Sequence, residues 1–487
     1  MTWHIMQRTG LLTVFLGVIT LSMLTSISMG TEVSGYTTND SGIEFGCFQT
    51  DEATGEYLLD EEGNLIPCEI DTGDNAWMLT ASALVLVMTP AGLAMFYGGL
   101  SRHKNAVNTV HMVFMAVGLV TIQWVLWGYS LAFGPDASGH GFIGNFDWAG
   151  LNYVYHDVPS DVYATTIPHG TFMIFQMMFA IITPALIVAS LAERMKWSAY
   201  VVFVVIWATF VYDFAAHWTW SLGAGGTAVG WTGALPSLDF AGGTVIHITS
   251  GWAGLIAAIM LGRRLGYGKV PMESHNVPLI VLGAALLWFG WFGFNAGSAT
   301  AASSSATSAF VATQIATGTA ALSWMLISWA HTGRPSTIGA ATGAVAGLVA
   351  ITPASGFVGP MAALLIGISA ALVGYAAIVF KNRRKWDDAL DTWAVHGMCG
   401  LAGALLTGVF AQTYYTDIAD GLAFGNPEQL LNNAIGAFAA VAWAVGITAL
   451  IIKVMDLVWP GGIRVTPKEE EVGLDLSQHG ERAYVTE

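Results

Sequence analysis

Two stretches of the 487-residue chain place a histidine in nearly the same phrase, DFAGGTVIHITSGWAG at 239–254 and DTWAVHGMCGLAG at 391–403. Both contain H-x-x-[SC]-G-x-A-G, with His247, Ser250, Gly251, Ala253 and Gly254 in one copy and His396, Cys399, Gly400, Ala402 and Gly403 in the other. Each histidine lies in an apolar, Gly-rich run, and an ionisable group inside such a run is costly unless it lines a cavity or has a partner. A single buried histidine is ordinarily a hydrogen-bonded structural residue, but two in repeated phrases point to a function. Neutral imidazole offers one donor and one acceptor, and with a reference pKa of about 6.5 it also takes up and releases a proton near neutrality. A facing pair could therefore relay hydrogen bonds or protons without adding fixed charge. Imidazoles on facing helices could equally serve as axial ligands of a haem iron. The small residues beside both histidines favour a narrow cavity over the roomy one that a haem requires.

The elements that must hold these residues are membrane spans. The chain is 54% apolar and only 10% charged, with a mean hydropathy of +0.59, which excludes a soluble multi-domain protein. Apolar runs lie near 75–100, 107–133, 169–191, 198–221, 241–262, 277–296, 304–331, 337–355, 361–380, 391–412 and 434–458. Each is close to the roughly 20 residues a helix needs to cross the hydrocarbon core. The expectation is an all-α polytopic protein with eleven transmembrane helices. Basic residues such as Arg102, Lys104, Arg194, Lys196, Arg263, Arg264, Arg334 and Arg383 fall in alternate short loops, and the intervening loops have none. The positive-inside rule then places the start of the first core helix outside and the tail inside.

Residues 1–30 read as a signal peptide, with an uncleaved extra helix as the alternative. Residues 31–74 form an acidic extracellular extension without Lys or Arg, which contributes to the formal net charge of −16. Its only cysteines, Cys47 and Cys68, could form a disulfide in an oxidising compartment. The membrane-embedded domain is 75–458, and 459–487 is the C-terminal tail. The two histidine phrases fall in spans five and ten. Five helices followed by five of opposite orientation make two inverted repeats plus a final helix, an arrangement that gathers functional residues near the midplane where the halves meet.

Several phrases carry a resemblance: DNAWMLTASALVLVMTPAGLAMFYGGL at 74–100, ITPALIVASLAERMKWSA at 182–199, DFAGGTVIHI at 239–248, GWFGFNAGS at 290–298 and DTWAVHGMCG at 391–400. Together they resemble the ammonium transporter (Amt) family, related to the Rhesus proteins, from Asp74 to the tail. The resemblance implies a homotrimer in the plasma membrane whose protomers each have a pore. It assigns Phe179, Trp220 and Ser298 to an outer ammonium-recruiting site, where aromatic faces attract a cation and a hydroxyl accepts one of its N–H bonds. Phe179 and Phe294 become a stacked gate, with Trp291 lining the pore further in and His247 and His396 forming the conducting pair. Asp239 is required near the outer site as an electrostatic or capping carboxylate, and Asp391 is expected to cap the inverted copy at the inner mouth.

In the tail, Gly473 and Asp475 of the G-L-D phrase would pack against the inner face, where a PII-type signalling protein is a possible partner. No cofactor and no nucleic-acid partner are expected, and nothing in the chain reads as an enzyme's nucleophile and base. The function expected is electrogenic ammonium uptake, with ammonium deprotonated, ammonia passed along the histidines and the proton moved separately. A receptor that binds ammonium and conducts little is the alternative, with a bis-histidine haem protein as the remaining one.

Overall fold

In the computed structural model, the described residues are 58–484 except 62, 64, 65, 67, 161, 224, 225 and 417, together with Cys47 and Gln49. The expected signal peptide and most of the acidic extension lie outside them. Among the described residues, ten helices are long and apolar enough to cross a membrane: α1 (Thr72–Leu100), α2 (His103–Phe133), α3 (His169–Leu191), α4 (Trp197–Trp220), α5 (Gly243–Leu261), α6 (Val277–Gly297), α7 (Ser304–Thr332), α9 (Pro360–Arg384), α10 (Trp393–Phe410) and α11 (Pro427–Val458). The apolar run expected at 337–355 forms a shorter helix, α8 (Thr337–Ile351), of 15 residues. At 1.5 Å per residue that is about 22 Å of helix, less than a bilayer core.

The helix ends follow local chemistry. Asn276, Ser303 and Ser336 each accept a backbone N–H from the first turn of α6, α7 and α8. Pro278, Pro360 and Pro427 sit in the first turns of α6, α9 and α11, where no N–H is lost. Gly333 ends α7 at φ 77°, a left-handed conformation that glycine adopts without penalty. Asp71 caps α1 through Asp74 N at 2.8 Å. Before it, Cys47 is bonded to Cys68, and Cys47 N and Asp71 N donate to Pro159 O and Thr166 O of the short hairpin Pro159–Ser160/Ala164–Pro168.

α3 occupies the centre, with nearly every residue buried. Phe114, Phe289, Leu326 and Phe438 project outward, as side chains facing lipid would. The repeated histidine phrases form a crossing between α5 and α10 whose closeness depends on glycine. A methyl group on Gly251 would collide with the backbone of Gly397, while one on Gly403 would strike Ala350 O of the neighbouring α8. One on Gly400 would stand 3.0 Å from His247 Cβ. Small residues thus let the two histidine backbones approach as lipid alone would not induce them to do. Both histidines lie in π-helical turns, Gly243–Ile248 and Trp393–Met398.

On the face bearing the tail, ionic contacts join the loops. Glu193 pairs with Arg102 at 2.5 Å and Arg264 at 3.4 Å, and Asp387 pairs with Arg264 at 2.8 Å and Arg194 at 3.3 Å. Burial pushes both carboxyls up, but the adjacent guanidinium groups outweigh it and hold them below the usual carboxylate range. The tail helix α12 (Pro467–Val472) opens on a capping box between Thr466 and Glu469. Glu470 accepts from Leu265 N and from Arg464 Nη2, and Lys104 Nζ donates to Glu470 O and Glu471 O at 2.9 and 2.7 Å. The described part of the tail is therefore docked against these loops.

Candidate functional site

The site starts with a buried carboxylate. Asp239 precedes α5, and its two oxygens accept four backbone N–H groups: Gly242 at 3.0, Gly243 at 2.7, Thr244 at 2.8 and Val245 at 3.1 Å. Gly242 has φ 105°, and that left-handed residue wraps the chain around the carboxylate. Asp239 O accepts from Trp220 Nε1 at 2.9 Å, so the residue that caps α5 also fixes the indole at the end of α4.

From Trp220 a column of rings runs inward. Trp220 meets the edge of Phe179 at 6.2 Å between centroids, and Phe179 stacks on Phe294 at 4.2 Å with an interplanar angle of 19°. Ser298, just beyond α6, donates through Oγ to Phe294 O at 2.9 Å. Below the stacked pair, His247 lies 6.1 Å from Phe294 and 5.3 Å from Trp291. Trp291 is held by Nε1 donating to Thr352 Oγ1 at 2.8 Å. The next ring is His396, with Nδ1 3.3 Å from Nδ1 of His247. His396 Nε2 lies 3.5 Å from Tyr97 Oη, whose hydroxyl donates to Leu186 O at 3.2 Å. His247 Nε2 has no hydrogen-bond partner among the described residues.

The rings come from α1, α3, α4, α5, α6 and α10, and apart from Trp220 they are almost entirely buried, while Ser298 is half-buried. The direct contact of the two Nδ1 atoms leaves no room for an iron between the rings, so the pair does not suit haem ligation.

Asp391 stands apart from this column. Its carboxylate pairs with Lys381 at 2.7 Å and is 33% exposed. The capping expected of Asp391 is performed by Asp388, which accepts from Trp393 N at 2.8 Å and Ser190 Oγ at 2.7 Å. The reason is spacing: the chain turns at Asp391, φ 63°, immediately before α10, so the residue that can reach back to the helix start lies further upstream. Asp388 precedes His396 by eight residues, as Asp239 precedes His247, and that shared offset was the usable signal. Tyr97 and Thr352 were also missed. Tyr97 lies in the FYGGL phrase, but a lone tyrosine or threonine in a span carries no mark of what it faces.

In the tail, Gly473 has φ 100°, and a Cβ there would stand 2.6 Å from Lys104 O. Asp475 Oδ1 accepts from Asn108 N at 2.8 Å, and Leu474 N donates to Asn105 Oδ1 at 2.9 Å. Both residues thus meet the first turn of α2.

The model of the Ammonium Transporter Family matches residues 76–484. An ammonium transporter of Aquifex aeolicus is 47% identical over 417 residues, covering 85% of this chain and 94% of that protein. The crystal structure of Candida albicans Mep2 superposes with a TM-score of 0.76 at 38% identity, covering 85% of this chain and 90% of that one. A structure described as a sensor Amt protein gives 0.75 at 30% identity, covering 84% and 98%. With the column of rings carried by the matched region, the chain is a multi-pass membrane protein that belongs to the Ammonium Transporter Family.

Proposed function

We propose that the protein is an electrogenic ammonium transporter that binds ammonium at its outer face, deprotonates it, passes ammonia along His247 and His396, and moves the proton separately. The observation that carries this reading is the pair of histidines in Nδ1-to-Nδ1 contact beneath the stacked Phe179 and Phe294. Moving an ammonium-sized ion from water into a medium of low dielectric costs on the order of 20 kcal/mol by an idealised Born estimate. A narrow apolar passage therefore rejects the ion, while neutral ammonia needs only replacement hydrogen bonds.

The pair supplies them in a defined order. The Tyr97 hydroxyl donates to Leu186 O, so toward His396 it offers a lone pair. His396 then carries its proton on Nε2 and accepts at Nδ1, and His247 donates from Nδ1. The unpartnered Nε2 of His247 becomes an acceptor. It would take an N–H of ammonia as the molecule leaves the gate.

Trp220, Phe179 and Ser298 form the recruiting site on this reading, Phe179 and Phe294 the gate, and Trp291 the adjoining wall. Asp239 acts by capping and by holding Trp220. α8 with the turns that follow is the eleventh crossing, the two five-helix halves are inverted repeats, and α1 begins outside while the tail lies inside. Lys and Arg side chains concentrated on the tail-bearing face support that orientation. The chain works as a homotrimer in the plasma membrane, and its tail-bearing face is the surface for a PII-type protein.

The test is charge movement on a solid-supported membrane coated with proteoliposomes, after pulses of ammonium and then potassium. A saturable current with ammonium and none with potassium is expected. Ammonia-driven pH change without current would establish a gas channel instead, and saturable binding without either signal would establish a receptor.

A further inference from the structure

The seam between α2 and α4 carries polar groups that this pathway does not use. Thr209, Asp213 and His217 recur every four residues along α4 and share a face. Gln123 Nε2 donates to Asp213 Oδ2 at 2.8 Å, and Trp127 Nε1 donates to Thr209 Oγ1 at 2.9 Å. Higher in the seam, His217 meets Ala132 O at 3.2 Å and Asp136 Oδ1 at 3.1 Å.

Four buried atoms here have no hydrogen-bond partner among the described residues: Gln123 Oε1, Trp124 Nε1, Tyr212 Oη and Asp213 Oδ1. Their residues are at most 1% exposed. They form two sequence-adjacent pairs on facing helices, joined by the Gln123–Asp213 hydrogen bond and by the Trp124 and Tyr212 rings at 6.1 Å. Each pair borders a π-helical turn, Trp124–Gly128 on α2 and Ala208–Tyr212 on α4. Such turns recur at functional sites.

The chemistry of the set selects a ligand. Trp124 Nε1 can only donate and Gln123 Oε1 can only accept. If Asp213 is ionised, its Oδ1 accepts and Tyr212 donates; if Asp213 is protonated there, it donates and Tyr212 accepts. Either way two donors and two acceptors remain, the complement of one water molecule. Ammonium has no lone pair for the Trp124 N–H, and a bare metal cation would meet the same proton.

We propose that Gln123, Trp124, Tyr212 and Asp213 form a binding site for a single ordered water, off the conducting column, that bridges the π-helical turns of α2 and α4. The water fixes the rotation of α4 about its axis, and with it Trp220 at the end of that helix.

Electron cryo-microscopy of the intact protein in lipid nanodiscs, at a resolution that shows ordered waters, tests this in ammonium-free buffer and again with ammonium. A peak within hydrogen-bonding distance of all four atoms, equal in both conditions, is expected. Absence of the peak overturns the proposal, as does a peak that appears only with ammonium or sodium. Melting temperature gives a second readout. Asp213→Asn keeps an oxygen acceptor and should melt near the wild type, whereas Asp213→Leu should melt lower. Joint replacement of Trp124 by phenylalanine and Asp213 by leucine should cost less than the sum of the two single losses, because these groups on facing helices meet through the water. A double variant whose loss is the sum of the single losses would show that the groups do not share a site.

Discussion

A carboxylate persists within a bilayer only if its oxygens are occupied, and the two that begin α5 and α10 are occupied differently. Asp239 holds four backbone N–H groups, and Asp388 holds one N–H and the Ser190 hydroxyl. Asp388→Ala strands those donors and is expected to cost about 1–3 kcal/mol in thermal unfolding of the purified protein. Asp391→Ala takes a partly exposed carboxylate from the buried Lys381, which keeps Asp388 O as an acceptor at 2.9 Å, and should cost less than Asp388→Ala. The reverse order of melting temperatures would return the capping role to Asp391. At the histidines the consequence is selectivity rather than stability. Replacing both His247 and His396 by small polar residues is expected to lower ammonium-over-potassium discrimination by about tenfold or more, equivalent to roughly 1.4 kcal/mol. The check is the ratio of the two currents, and unchanged exclusion of potassium would remove the histidines from the selectivity mechanism.

At the scale of elements, the α5–α10 crossing sets how far apart the two imidazoles stand. Gly251→Ala forces a methyl group against the Gly397 backbone and is expected to destabilise by about 1–3 kcal/mol while depressing ammonium current. Gly318→Ala on α7, where a Cβ meets nothing within 4 Å, is the control and should be neutral or slightly stabilising. The phrase H-x-x-[SC]-G-x-A-G made this crossing legible before any coordinates, because repeated small residues beside repeated histidines imply matched close packing. Ten of the expected apolar spans appear as long helices for a similar reason, since length and hydropathy are summed over many residues. α8 was less legible: the expected span ran on through Thr352–Ser355, but the helix ends at Ile351, ahead of Pro353 and Gly356. The π-helical turns left no trace, because an extra residue in a turn changes side-chain direction without changing composition. Asp213 could be noticed as a misplaced charge, but its partners on α2 are 90 residues away for Gln123 and appear only on folding.

For the whole molecule, the ionic network on the tail-bearing face is where acid should act first. Glu193 and Asp387 have folded-state pKa values below their ordinary ones. Their contribution to stability is therefore fully present above the unfolded carboxylate pKa and is lost as pH falls through the depressed folded values, in a window below about pH 4. Unfolding measured from pH 7 to 2 is expected to show a stability loss there, reduced by Glu193→Gln; an identical acid profile in that variant would place the loss elsewhere. The tail offers a separate measurement. Asp475→Ala frees Asn108 N, and Gly473→Ala presses a methyl group toward Lys104 O, so each should speed proteolytic cleavage within 466–484 relative to the wild type.

The hold of Asp475 on α2 also bears on the order in which the chain is made. An N–H near the start of α2 is satisfied by a residue synthesised 367 positions later. Until Asp475 has been synthesised, that N–H lacks this acceptor. A truncated or stalled product carries this unsealed end, together with Lys104 deprived of its two carbonyl acceptors. The start of α2 thereby records whether the chain through Asp475 has been made.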